Sequence, residues 1–250
     1  MGTERSVPFR SKLLIKRESK TSKTKGSIQA VPLASPRFSP IVAAVNSASL
    51  TQLTGIAPGE LITLFGYDLT GPAQVGEDNA ALLYAGSNQI NLQVPFESTS
   101  TNIEASGVTV AGLPLANVSN FQPGLFTTDG THAAAINQDG TVNSASNPAA
   151  AGSVISIYGT GAIWPAGLAD GAMATATLPL NQDSNNFQVF SDGTPLSILY
   201  EGAAPGLIYG AFELSVQLTD YQNPGITLQV PSGLPAGPPV LSNPVNIYVK

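Results

Sequence analysis

The chain has 250 residues, 42% of them apolar, enough for one large or two ordinary domains each with its own core. Charge is sparse and segregated: nine of the ten Lys and Arg fall in residues 1–40 against two acids (+7), whereas residues 41–250 hold one cation, Lys250, against fourteen acids (−13). Such a body cannot neutralise phosphates by ion pairing and offers no cationic site for an anionic cofactor, which excludes nucleic acid as its partner. The absence of cysteine excludes disulfides, thiolate zinc sites and cysteine nucleophiles, and without a run of 18 apolar residues no membrane-spanning helix is expected.

The head, residues 1–40, is Lys, Arg, Ser, Thr and Pro around one short apolar stretch, Leu13-Leu14-Ile15. It buries too little surface to offset its ordering entropy and is expected to be a disordered basic segment. Charges recur every few residues from Ser6 to Lys25, so the sequence as given shows no signal peptide, and the head reads as a linker or the stub of a longer protein. From Ile41 onward, short apolar runs alternate with Gly, Pro, Asn, Asp and Ser. Leu61–Phe65 and Val154–Tyr158 are apolar runs bounded by glycines. The stretches Ile90–Val94, Val108–Val110, Phe212–Val216, Ile226–Val230 and Val245–Val249 alternate with period two, as half-buried strands do. The best helical stretch, His132–Ile136, is too short to count. Strands every 8 to 15 residues with turn residues between them predict an all-β sandwich fold.

A repeat divides the body. Ala57–Gly66 aligns with Ala150–Gly159 at an offset of 93, Leu83–Gly86 with Leu199–Gly202 at 116, and Ile90–Val94 with Phe212–Val216 at 122. Order is kept while connections lengthen, as expected where packing constrains strands and not loops. The predicted organisation is two tandem immunoglobulin-like β-sandwich domains, residues 41–120 and 121–250, after the basic head.

Asn46–Ser49, Ala57–Gly59, Leu64–Gly66, Leu83-Tyr84, Gln89–Pro95, Pro123–Phe126, Asn137–Gly140, Asn147–Ala149, Tyr158–Gly161, Ala204–Gly206 and Ser242-Asn243 follow one another in a set order. In that order they resemble the uncharacterised C-terminal module of large exported Acidobacteria proteins, of the Solibacter type, whose halves are similar to IPT/TIG immunoglobulin-like domains. The resemblance covers residues 42–249 and implies an extracytoplasmic or secreted setting, no catalytic residues and no established activity. The chain departs from it between Leu69 and Leu82, where a shortened segment places one strand of the first domain in doubt, and at Phe212–Val216, which lacks the expected Gln-Val-Asn pattern.

Little in the body reads as chemistry. His132 has no nucleophile elbow near it, so a surface or strand-edge role is expected. Four acids precede glycine, at Asp129, Asp139, Asp170 and Asp192, and read as turn residues; a hydrolase would need an unrecognised carboxylate pair in a cleft at the domain joint. Calcium is the one ion whose ligand chemistry is at hand, in the oxygen-rich loops Asn137–Asn143 and Asn181–Asn186, although neither has the acid density of an EF-hand. Tyr158, Tyr200 and Phe212 are expected in the core. Trp164, placed between Gly161 and Pro165, is expected at a loop tip, and with Tyr209 and Tyr221 forms the candidate ligand patch. The leading expectation is a non-enzymatic structural or adhesive module with a protein or glycan partner and no cofactor. The alternatives are a carbohydrate-binding module centred on Trp164 and the carboxylate-pair hydrolase.

Overall fold

The computed structural model describes residues 41–69, 71–106, 108–109, 118–119, 121–180, 186–219, 225–230 and 239–250. The basic head, Tyr221 and most of the Asn181–Asn186 loop lie outside the described residues. All described residues belong to one compact unit. The protein is all-β: its regular elements are strands in antiparallel sheets, and no helix occurs among the described residues.

In the first half, β1 (Ile41–Asn46), β2 (Leu61–Gly66), β6 (Gln89–Gln93) and β5 (Ala81–Gly86) form one sheet in the order β1-β2-β6-β5. A second sheet runs β4-β3-β7-β8, from β3 (Ala73–Val75), β4 (Asp78–Asn79), β7 (Ile103–Ala105) and β8 (Val108–Thr109). The shortened segment after Leu69 therefore keeps its strand, as β3 of a tight hairpin. The alternation decides which side chains meet: Ile62, Leu64, Ile90 and Leu92 from one sheet and Ala73, Val75, Ile103 and Ala105 from the other form one buried cluster.

The second half repeats the order. β10 (Ala135–Asn137), β11 (Val154–Thr160), β16 (Ala211–Gln217) and β15 (Ile198–Ala203) form a sheet with two additions, β9 (Gly124–Leu125) beside β11 and β12 (Leu178–Pro179) beside β15. The facing sheet runs β14-β13-β17-β18, from β13 (Gln188–Ser191), β14 (Thr194–Leu196), β17 (Gly225–Val230) and β18 (Val240–Leu241), with β19 (Val245–Asn246) also on β17. Ile155, Ile157, Phe212, Leu214 and Val216 meet Val189, Leu196, Ile226 and Val245 in a second buried cluster. Each fully buried side chain of this size contributes roughly 1.5–3 kcal/mol by leaving water.

Pairing registers make the duplication exact to the residue and correct one offset. Thr63 pairs with Asn91 and Asn91 with Tyr84; Ser156 pairs with Ser215 and Ser215 with Tyr200. β16 thus matches β6 at an offset of 124, not the 122 read from sequence. A two-residue slip keeps every side chain on its face, so alternation alone could not detect it. Both copies even bulge at the same place, between Leu82 and Tyr84 and between Ile198 and Tyr200. Phe212 is in the core, whereas Tyr158 and Tyr200 fall on alternate positions of their strands and stay half-buried.

Candidate functional site

The two apolar clusters meet across a layer of buried polar side chains. Asn46 ends β1, where its Oδ1 accepts the N–H groups of Ala48 and Ser49 (2.9 and 3.0 Å) and so turns the chain. Its Nδ2 donates to Glu60 Oε1 (2.9 Å) and, across the joint, to the Gln122 carbonyl (3.0 Å). Glu60 Oε2 accepts the Ala57 N–H at 2.9 Å. Thr160, at the end of β11, accepts the Leu61 N–H (2.9 Å) and donates to the Gly210 carbonyl (2.7 Å). Gln93 donates to the Tyr209 carbonyl and accepts the Gly171 N–H, while Asp170 accepts the Phe96 N–H at 3.0 Å.

Glu60 is fully buried, and burial pushes its carboxyl up to about 8 against the pull of the Ala57 N–H and the Asn46 amide. Gly161 fits the joint because it lacks a side chain: its φ is +84°, and a β-carbon would stand 1.9 Å from the Gln122 carbonyl oxygen. Sequence reasoning missed this layer. Its one advance signal is an acid, Glu60, set directly before an apolar strand.

Trp164 is not at an exposed loop tip. It retains 9% of its surface and packs edge-on against Phe96 of the first half (6.5 Å) and Tyr209 of the second (6.0 Å). The structure therefore unites Trp164 with Tyr209, as part of the joint. Its Nε1 is buried without a hydrogen-bond partner. Trp164 also lines a cavity of about 350 Å³, together with Pro58, Phe96, Glu97, Ile163 and Pro165. Asp170 is raised by burial, held back by the Phe96 N–H, and raised further by the charges of Glu97 and Asp78. Of these three acids Glu97 lines the cavity.

The remaining candidates resolve into structural roles. His132 stacks on Tyr248 at 4.1 Å, and its Nδ1 lies 2.7 Å from Asp129 Oδ2. The His132 and Thr131 N–H groups, with the imidazole, hold the Asp129 carboxyl down at about 2. Glycines 130, 140, 171 and 193 all have positive φ, as turn positions require. In the Asn137–Asn143 loop the oxygens are engaged internally: Asn143 Nδ2 donates to Asn137 Oδ1 (2.9 Å) and the Tyr248 carbonyl (2.8 Å), and Asp139 accepts from Thr141. No grouping of three or more His, Cys, Asp or Glu that could hold a metal occurs among the described residues. Glu201 is buried with one oxygen unpartnered, beside a cavity lined by Asn186, Phe187 and Ile198. No helix among the described residues is long and apolar enough to cross a membrane.

Fold and site together define an all-β protein of facing antiparallel sheets in which one strand order occurs twice around a polar joint. Comparison of the chain with protein-family models, with curated proteins and with solved structures finds no match.

Proposed function

We propose that the chain is a non-enzymatic structural or adhesive module acting outside the cytoplasm, built from two immunoglobulin-like sandwiches of the IPT/TIG kind in tandem. The observation that carries this reading is the joint. A spacer or adhesive unit must hold its surfaces at fixed positions, and here Asn46, Gln93 and Thr160, all buried, tie one half's side chains to the other's main chain, with Glu60 holding Asn46 in place. Buried bonds of this kind are costly to leave unmade, so the joint resists hinging. The extracytoplasmic setting rests on the resemblance to the Solibacter-type module.

Assay of the full chain against polysaccharide, ester and peptide substrates, beside a Glu97→Gln variant, tests the reading. No turnover by either is expected. Turnover lost in Glu97→Gln would overturn it in favour of a hydrolase at the joint cavity. Small-angle scattering supplies the second arm: one rigid particle shape is expected for the two sandwiches, and a hinged ensemble would remove the spacer role.

A further inference from the structure

β5 and β15 occupy the same position in duplicate sheets but differ along their outer edges. β15 is covered: β12 runs antiparallel to it, pairing Leu178 with Ala203 and Pro179 with Gly202, and the Leu180 N–H donates to the Glu201 carbonyl at 3.0 Å. β5 has no strand on that side among the described residues. One hydrogen bond lies there, from the Leu69 N–H to the Ser87 carbonyl just past the strand's end. Leu82, Leu83 and Tyr84 are 40%, 43% and 54% exposed. Ala85, the counterpart of buried Glu201, is exposed as well.

We propose that the outer edge of β5 is a docking site for one extended peptide segment of a partner protein, apolar and uncharged over about four residues and followed by lysine or arginine. This goes beyond the module reading and does not depend on it. The first half of the specification comes from β12, whose surroundings Thr177-Leu178-Pro179-Leu180 show what covers this edge in the other copy. The main chain of Glu201 faces outward to Leu180, so by register that of Ala85 faces the open edge. β5 carries neither the lysine nor the proline with which edge strands commonly discourage pairing. β12 pairs with β15 only on the Ala203 side of the matching bulge, so the guest pairs regularly with Ala85 and Gly86 and passes the bulge before its C-terminal end reaches Ala81.

Charge supplies the second half. An antiparallel guest would run its C-terminal end toward Ala81, where Gly171 closely approaches that residue and Asp170 precedes it in the same turn. Asp170 feels the negative charges of Glu97 and Asp78. The body's sole cation, Lys250, lies elsewhere, beside Asn137 and Asp139. That end of the edge therefore favours a cation, whereas a second copy would set one −13 body against another.

The test is fluorescence anisotropy of the full chain titrated with a labelled octapeptide, Thr-Leu-Pro-Leu-Thr-Val-Lys-Lys. Saturable binding is expected, at least tenfold weaker when the second leucine is N-methylated and severalfold weaker when the lysines become glutamates. Ala85→Pro should also weaken it at least tenfold, because the lost N–H faces the open edge and proline is tolerated there. N-methylation alters the peptide alone, so a folding defect in Ala85→Pro cannot decide the result. Absence of saturable binding, or equal affinity for the N-methylated peptide, overturns the proposal. So does a chain that sediments as a dimer, becomes monomeric in Ala85→Pro and ignores the peptide, since the edge then serves self-association.

Discussion

The two halves share a strand order, and their largest difference is one connection. Six residues, 67–72, join β2 to β3, whereas 27 residues, 161–187, join the equivalent β11 to β13. The longer link carries Trp164 against Phe96, delivers Asp170 and Gly171 to the first half, and supplies β12 to cover β15. Extending a connection from six to 27 residues adds only ~1.3 kcal/mol of loop-closure entropy. One cheap change in a loop thus accounts for much of the joint and for the contrast between a covered edge and an open one. The matched strands, by contrast, keep register and bulge, because a change there would disturb a core.

The comparison breaks most sharply at Gly161. Its φ of +84° alone costs a β-carbon ~1–2 kcal/mol. The clash also displaces the Gln122 carbonyl, which accepts from Asn46 across the joint, so Gly161→Ala should lose more than ~3 kcal/mol in urea unfolding. Gly130 has nearly the same φ, +85°, but nothing within 4 Å of an added carbon, so Gly130→Ala should lose about 1 kcal/mol. Equal losses would show that the joint adds nothing beyond backbone strain.

Asn46 and Asn137 sharpen it next. Each ends the first strand of its sheet at the same register, opposite Ile62 and Ile155. Asn46 reaches across the joint, while Asn137 bonds locally to Thr141 and the Asn147 carbonyl. Asn46→Ala leaves both the buried Glu60 carboxyl and the Gln122 carbonyl without this donor and should cost about 3 kcal/mol, against about 1–2 for Asn137→Ala. Matching values by denaturant titration would place the two asparagines in the same role.

These contrasts mark what a sequence can carry. Strand identity was legible because burial writes a period of two into residues such as Phe212-Glu213-Leu214-Ser215-Val216, whose alternation the structure keeps. The end of the chain misled: Val245–Val249 alternates, yet β19 stops at Asn246, because the Tyr248 N–H bonds to the Asn143 side chain and its carbonyl accepts from Asn143 and Ala149. Trp164 misled for a related reason. Flanking Gly161 and Pro165 signalled a loop, but loop residues are buried wherever a second sandwich closes over them, and that closure depends on pairs 60 to 120 residues apart, such as Trp164 with Phe96 and Asn46 with Gln122. Glu60 gave the faintest sign, since nothing local shows that an acid in a turn will be sealed by a distant chain.

That acid gives the joint a pH signature of its own. The folded-state value of Glu60, about 8, lies above its ordinary 4.5, so the folded protein holds the proton more tightly than the unfolded chain. The stabilisation is fully present below about 4.5, is lost as pH rises from there to about 8, and is flat beyond. Asp170 and Glu201 are raised by burial too and slope the same way, so the informative quantity is the difference from Glu60→Gln. Unfolding free energies across pH 5 to 9 should fall less steeply in that variant, whatever its offset. Parallel curves would mean that Glu60 does not titrate within the joint.

Salt should matter least. Among the described residues His132 and Asp129 form a hydrogen-bonded acid–base pair on an exposed turn, and the body's one Lys or Arg is Lys250. Exposed pairs are already screened by water, so added salt removes little, while screening the repulsion among fourteen acids acts in the opposite direction. Thermal melts at pH 7 should therefore stay level or rise by a few degrees between 0.05 and about 0.5 M salt. A marked fall would require an electrostatic attraction that these sheets do not provide, and the side of the joint on which melting began would show which half contained it.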